Sequence, residues 1–514
     1  MLKVDVQDGV QSPLSRTDPM PMSTPLSKRI RNRRWRCLAM LASLIVSGCS
    51  LIPAYQRPVL PVPVDQASAV VPASNTSTAL VLSADEEALA GELSPKGELR
   101  RLLQSALAFN RDFRVAVLRV EEARAMRGIT RADRFPTLAA GVERDRQHFD
   151  NAAADERYGQ DISIASVGVS DFELDFFGRV RSLSEAARHD YLASTFGQQA
   201  ARSALIAEVA RAWLAERLAA AVQQDAQAVQ EARLMLVKAA EEQQRQGAIS
   251  QDDLLVQRLD TLTAQQQVQD AVSDHANASQ ALLLLTGYST ALPATTPEAA
   301  TQDMPVLTAA LVETPAWLSN LPSQRLLERF DIRQREEALK ASNANIGAAR
   351  AAFFPSIKLS TGVGLQSDSL RTLFSNGSGA WLFTPQLNLP LFDGGRNQAN
   401  LDLAKVRQQI AVAEYEKAVQ NAFREMSAVL TRRQQALNHV RNEVERVALV
   451  QEKVRRLSFE LDAGAAERTA LLVSTVRIAE ADAAARKSLD ALQQNRIDLF
   501  RVLRGSEPTT PPQS

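Results

Sequence analysis

Residues 440–461 read VRNEVERVALVQEKVRRLSFEL. Val440, Val447, Val454 and Leu461 fall seven apart, with Val450 and Leu457 between them. That 3-4 spacing, held over three heptads, is the pattern of helices packed as in a coiled coil. No proline interrupts 394–463 around it, nor 179–246 earlier in the chain, where Val222, Val229 and Leu236 are again seven apart. At 1.5 Å per residue, about 70 helical residues make a rod of roughly 100 Å, a length with little use in a compact enzyme. Gly247 and Gly464 end the two rods. After the first, Ser250-Gln251-Asp252-Asp253 reads as a capping-box variant that starts a new helix. The expectation is two antiparallel helical hairpins, with tips near 247–251 and 464–468.

The rods belong to a repeat. Phe135-Pro136-Thr137-Leu138 returns as Phe354-Pro355-Ser356-Ile357, an offset of 219. Gly178-Arg179 returns as Gly395-Arg396, Gly247 as Gly464, and Leu254-Leu255-Val256 as Leu471-Leu472-Val473, each at 217. Gly287 pairs with Gly505 at 218. Five matches in order at nearly one offset indicate a duplicated unit of roughly 190 residues. Each unit runs helix, Phe-Pro break, two strands, long helix, glycine, long helix.

The strands alternate. Phe172, Leu174 and Phe176 are interleaved with Glu173 and Asp175; Ile357, Leu359, Val363 and Leu365 with Lys358, Ser360 and Gly364; Phe383, Pro385, Leu387, Leu389 and Leu391 with Thr384, Gln386 and Asn388. A barrel wall with lipid outside and water inside has this pattern, and so does a half-buried soluble sheet; the alternation leaves both open. Four strands cannot close a barrel. A membrane reading therefore requires copies: two chains give eight strands and three give twelve. The polar loops 149–160 and 367–379 would be the cell-surface turns.

The ends of the chain carry a different signal. Lys28, Arg29, Arg31, Arg33, Arg34 and Arg36 precede a short apolar run, Cys37 to Val46, which is too short to span a membrane as a helix. Val46-Ser47-Gly48-Cys49 then resembles the bacterial lipobox, whose cysteine is diacylated and becomes the first residue. Ser50 in second place favours export to the outer membrane by the same resemblance. Residues 1–19 read unlike a signal start, so initiation is expected at Met20 or Met22. The whole chain has zero formal charge, but residues beyond 48 hold 51 basic against 56 acidic groups, a poor balance for nucleic acid. Both cysteines, Cys37 and Cys49, are N-terminal, and the four histidines have no ligand spacing, so no metal or cofactor is expected. No phosphate loop, GxSxG or metal cluster is found, and no enzyme is expected. The charged positions Arg329, Asp331, Glu336 and Glu337 lie in a helical pattern and read as a solvated face.

Residues 321–359 read LPSQRLLERFDIRQREEALKASNANIGAARAAFFPSIKL. This stretch, Asn343 to Arg350 above all, closely resembles the hallmark segment of NodT-type outer-membrane efflux lipoproteins of the TolC/OprM-like superfamily. Ala106-Leu107 to Asn110, Glu122-Ala123-Arg124 with Phe135-Pro136, and Tyr55-Gln56-Arg57-Pro58 resemble other parts of the family, so the likeness spans 49–505. It implies a homotrimer with a twelve-stranded transmembrane β-barrel and a twelve-helix periplasmic tunnel. It also implies docking to a periplasmic adaptor and an inner-membrane pump of the RND class, with small toxic compounds such as drugs as cargo. Phe330 stands where the family usually has proline, a local departure. Relatives close the tip with charges on the second hairpin, but the matching positions here are Val473 and Val476, with Thr469 at the apolar gate position. Asp252 and Asp253 on the first hairpin are the remaining gate candidates; as first-turn residues they also suit a helix dipole. Arg245, Gln246, Gly247 and Ala248 at one tip, and Ala463, Gly464 and Ala465 at the other, are candidate adaptor contacts.

The resulting plan is mainly α with a small β part. It has a signal peptide at 1–48, a lipidated extended strap at 49–95, repeats at 96–287 and 321–505 joined by an equatorial linker at 288–320, and a C-terminal tail at 506–514. Strands are expected near 135–148, 161–177, 355–366 and 380–392, and long helices over 179–246, 250–286, 394–463 and 466–503. Within this fold a type I protein secretion duct is the alternative. Outside it, a lipid-tethered periplasmic coiled-coil scaffold would explain the heptads and the lipid, but not four alternating strands at matching places.

Overall fold

The structure, a computed structural model, describes residues 51–58, 81–287, 323–464 and 468–504. Residues 51–58 run without regular structure and are treated by themselves. From residue 81 onward the order is α1 (Ala84–Leu93), α2 (Glu98–Phe109), α3 (Arg111–Ala132), β1 (Leu138–Gln147), α4 (Ala152–Tyr158), β2 (Gln160–Leu174) and the long pair α5 (Arg179–Arg245) and α6 (Gln251–Leu285). The second half repeats it with α7 (Gln324–Leu327), α8 (Phe330–Ala351), β3 (Ser356–Ser367), β4 (Gly379–Asn388), α9 (Arg396–Asp462) and α10 (Arg468–Leu503). The duplication is visible in the lengths. α3 and α8 are 22 residues each, α5 and α9 are 67 each, and α6 and α10 are 35 and 36. At 1.5 Å per residue the 67-residue helices are about 100 Å long.

Each long helix starts for the same reason in both halves. Asp175 accepts from the Val180 and Arg181 N–H groups at 3.2 and 2.7 Å, and Asp393 from Gly395 and Asn397 at 2.9 and 2.8 Å. These carboxylates satisfy helix N-terminal donors that have no partner inside the helix. The cap also ends the preceding strand: β2 stops at Leu174 rather than continuing to 177, because Asp175 has turned to the helix. β4 stops at Asn388, short of the expected 392, since Pro390 offers no ladder donor and Asp393 begins the cap.

α5 is the hub. It packs against α2, α3, α6, α8 and α10, while α9 packs against α8 and α10. Its middle, Leu205 to Leu214, is buried with Trp213 in one cluster with Leu93, Leu99, Leu103, Leu107, Leu282 and Ile497. The heptad seam on α9 also faces inward. Val440 is buried against Ala436, Leu437 and Leu492, and Val447, Val450, Val454, Leu457 and Leu461 stay half-buried among exposed neighbours.

Two expectations are corrected. The strap was expected to be extended through residue 95, yet its last part forms α1. Ser83 and Glu86 close a capping box, and three acidic residues fill the first turn. The loop 149–160 holds helix α4, which Asn151 caps through Ala153 and Ala154.

Glu86 is fully buried beneath α5. It accepts from Arg202 at 2.9 and 2.8 Å, from Arg504 at 2.7 Å and from the Ser83 N–H at 2.8 Å. Burial pushes its carboxyl up, but these donors outweigh burial and hold it below its ordinary 4.5. A carboxyl held low adds stability above its unfolded value and loses it as pH falls through its folded one. Glu86→Gln is expected to lower stability by about 2 kcal/mol, because half-buried Arg202 and Arg504 lose their shared carboxylate and keep the Val81 carbonyl, Asp85 and the Ser83 hydroxyl, and to flatten the acid side of the pH–stability curve. Thermal and acid unfolding followed by circular dichroism would check it; an unchanged melt would mean the C-terminal arginine does not clamp α1.

Asp490 is the opposite case. Burial pushes it up to about 6, and one of its carboxyl oxygens has no partner. A raised acid lowers stability progressively between about pH 4 and pH 6. Asp490→Asn should therefore gain about 2 kcal/mol at pH 7.5, with the gain shrinking toward pH 4 in the same measurement.

Candidate channel wall and periplasmic tip

The four strands form one antiparallel sheet in the order β1-β2-β3-β4, and the register sorts them into rows. One face carries Leu174–Ile357–Leu387, Phe172–Leu359–Pro385, Leu138–Val169–Thr361–Phe383, Ala140–Val167–Val363–Trp381 and Val142–Ala165–Leu365–Gly379. These residues are not covered: Val142 is 72% exposed and Trp381 79%. The other face carries Glu173–Lys358–Gln386, Ser360–Thr384, Ala139–Gly168–Gly362–Leu382, Gly141–Ser166–Gly364–Ala380 and Glu143–Ile164–Gln366. It is polar or small, apart from Ile164, Leu382 and Ile162 above them. A β-bulge at Asp171 (φ 53°) restores the alternation between Val169 and Phe172, held by the Asp171 N–H on the Ser360 hydroxyl at 3.0 Å.

Strands β2 and β3 approach so closely that a Cβ on Gly364 would lie 2.2 Å from the Ala165 carbonyl oxygen. Only glycine fits there, and its lack of side chain keeps the polar face open. An exposed apolar face opposite a small polar one, with edge strands β1 and β4 unpaired, is a segment of a barrel wall.

At the first tip, α5 ends in a Schellman turn. Gly247 has φ 73°, its N–H reaches the Gln244 carbonyl at 3.0 Å, and the Ala248 N–H reaches Gln243 at 2.8 Å. Arg245, Gln246 and Gly247 are exposed; Arg245 pairs with Glu242 at 2.7 Å and Gln246 donates to Glu242 at 2.8 Å. Ser250 and Asp253 close a capping box in which Asp253 accepts from the Ser250 hydroxyl at 2.7 Å and its N–H at 3.1 Å. That hydroxyl bond, then the backbone one, holds the Asp253 carboxyl below its ordinary value. Asp252 is exposed beside it. At the second tip Ala463 and Gly464 (φ 70°) are exposed.

Thr469 is half-buried and Val473 is 40% exposed, whereas Val476 is buried against Val229, Ala232 and Leu236 of α5. This contact brings the two tips to the same end of the molecule. The position where relatives place an arginine is thus part of the seam between hairpins. Val46, Ser47, Gly48, Cys49 and Ala465 lie outside the described residues.

The charges on α8 need correction. Arg329 and Glu337 are buried, not solvated. Arg329 bridges Asp331 at 2.7 Å and Glu425 on α9 at 3.0 Å, and Glu337 meets His189 on α5 at 2.6 Å. His275 likewise spans the first hairpin between Gln223 at 2.9 Å and buried Glu216 at 3.2 Å. These cross-helix pairs carry no local sequence signal, because their members are 52 to 148 residues apart.

Long paired hairpins below an apolar-faced open sheet define the class of outer-membrane channels with a helical tunnel. The family model of the outer membrane efflux protein matches residues 102–288 and 321–504. The chain is 36% identical over 468 residues to the cation efflux system protein CusC of Escherichia coli K12, covering 90% of this chain and 95% of that one. It is 37% identical over 412 residues to the solvent efflux pump outer membrane protein SrpC of Pseudomonas putida, covering 78% and 83%. The open-state MtrE outer membrane channel of Neisseria gonorrhoeae superposes with a TM-score of 0.64 at 32% identity, covering 88% and 98%. The chain belongs to the outer membrane efflux protein family and is an outer-membrane exit duct of an efflux system.

Two substitutions at the tip separate the cap from the charge. Ser250→Ala is expected to fray the start of α6 at a cost of about 1 kcal/mol without changing ionic selectivity. Asp252→Asn is expected to leave the melt unchanged and to lower cation preference in planar bilayers. If Asp252→Asn leaves selectivity untouched, both aspartates are only first-turn residues.

Proposed function

We propose that three copies of this chain close a twelve-stranded barrel over a twelve-helix tunnel, anchored by a lipid on Cys49. The tunnel mouth docks its exposed tips to a periplasmic adaptor that leads to an inner-membrane pump of the RND class. The observation that carries this reading is the pair of unpaired edges on a sheet with an exposed apolar face. In hydrocarbon an unpaired strand edge costs several kcal/mol per polar group, so the sheet needs β1 of one copy against β4 of the next. Three copies give a barrel wide enough to be a conduit, where two would give eight strands and a filled interior.

The duct is passive and has no catalytic role. Its polar face is lined mostly by glycine, serine, threonine, alanine and glutamine, with Glu143, Glu173 and Lys358 as its charged members and Ile164 and Leu382 as its larger apolar ones. That suits small toxic compounds of differing chemistry, in keeping with relatives named for cations and for solvents. Asp252 from each copy would ring the periplasmic mouth and favour cations.

Detergent-extracted protein should run as a heat-dissociable trimer, cross-link to three and no further, and conduct in planar bilayers. A water-soluble monomer or dimer without conductance, once delipidated, would reduce the strands to an ordinary sheet.

A further inference from the structure

The apolar rows of the sheet end abruptly. Above Val142–Ala165–Leu365 the same outward face continues as Arg144–Ser163–Ser367 and then Arg146–Asp161. From Ile357 to Leu365 the apolar stretch of β3 rises about 27 Å along the strand, and about 20 Å along the membrane normal at a tilt of about 40°. That is close to the roughly 25 Å apolar band of an outer-membrane barrel. The arginine rows therefore fall at the rim of the hydrocarbon. They are at the exterior rim, because the long helices leave from the opposite ends of the strands.

A guanidinium facing hydrocarbon would be out of place, and a guanidinium facing phosphate would not. Asp161 accepts from Arg144 through both oxygens, at 2.9 and 2.8 Å, and Arg146 reaches the same carboxylate only at 3.6 Å. Two guanidiniums thus share one carboxylate, leaving a net positive charge. The Arg146 side chain is 74% exposed. Beyond β1, Tyr158, the last residue of α4, is 56% exposed, packs edge-on against Phe149 at 6.2 Å, and has the Arg157 guanidinium 5.7 Å from its ring centre. An aromatic with a polar tip and an adjacent cation suits the headgroup zone.

We propose that Arg144 and Arg146 form a phosphate-binding rim for a phosphorylated lipid of the exterior leaflet. Arg144, fixed by Asp161, sets the position, and Arg146 supplies the open donor fork. This rests on the barrel-wall reading of the sheet.

The test uses the full-length lipidated protein in detergent, with fluorescent diphosphoryl lipid A in mixed micelles as probe. Arg146→Gln should weaken binding roughly tenfold, the loss of one charge-assisted contact, and leave the trimer's melt unchanged. Arg144→Gln with Arg146→Gln should abolish the preference for diphosphoryl lipid A over its dephosphorylated form. Equal binding of both forms by the unaltered protein overturns the proposal. So does full competition by millimolar inorganic phosphate, which would make this a site for the free ion. The barrel reading is checked on the same sample in vesicles of phosphatidylcholine with brominated chains. Trp381, two rows below Arg144, should be quenched, with Trp381→Phe as the control. Quenching without a lipid A preference sinks only the phosphate rim; no quenching sinks the barrel wall beneath it.

Discussion

Everything below the sheet is organised by the burial of one stretch of α5, Leu205 to Leu214. At this level the helix is touched from several sides, and Ile206, Ala207, Val209 and Ala210 are wholly inaccessible. A helix of 67 residues draws little stability from propensity alone and depends on what its apolar face packs against. The middle of α5 meets this need by gathering α1, α2, the end of α6 and the end of α10 into one cluster. The helical ends above and below can then remain thinly packed. That leaves α6 residues such as Leu255, Leu259 and Leu262 exposed on the single chain, surfaces that copies of the chain would cover.

Ion pairs tie the same assembly together across the repeat. Arg211 meets Asp498, Arg486 meets Asp225, and Glu86 is held by Arg202 and Arg504. Each joins α5, or α1 upon it, to α10 or its end, so the first repeat is pinned to the last helix of the second. The two halves are alike in length yet not interchangeable. Only α5 occupies the hub, and its counterpart α9 has no comparable cluster.

Most of this architecture was legible because it is written in local periods. The heptads of Val440 to Leu461, the glycines at 247 and 464 and the Phe-Pro breaks each state their structure within a few residues. The alternation of Ile357 to Leu365 was equally clear. What was missed was either a short signal outweighed by its surroundings or a pairing over long distance. Ser83-Ala84-Asp85-Glu86 is a capping box in plain sequence, but it follows a proline-rich run that suggested an extended strap. The burial of Arg329 and Glu337 depends on Glu425 and His189, which no spacing rule connects to them. Asp175 alternates with apolar neighbours as a strand residue does, and Asp393 belongs to no periodic pattern; both are helix caps.

The tip shows where duplication stops being informative. Ser250 and Asp253 cap α6, and sequence symmetry would place a similar device after Gly464. Past the residues that would hold it, which lie outside the described ones, the second hairpin has Thr469 half-buried and Val473 exposed, and it buries Val476 in the seam against α5. An arginine at 476 would have to be desolvated among Val229, Ala232 and Leu236, which is strongly unfavourable without a partner. A valine there tightens the contact between the hairpins. Charge at this end is found on both hairpins: Asp462 is exposed at the end of α9, and Asp252 and Asp253 open α6 on the first hairpin. Of its two aspartates, Asp253 is committed to the cap by two bonds to Ser250. Asp252, exposed and one position earlier, takes no part in that capping box.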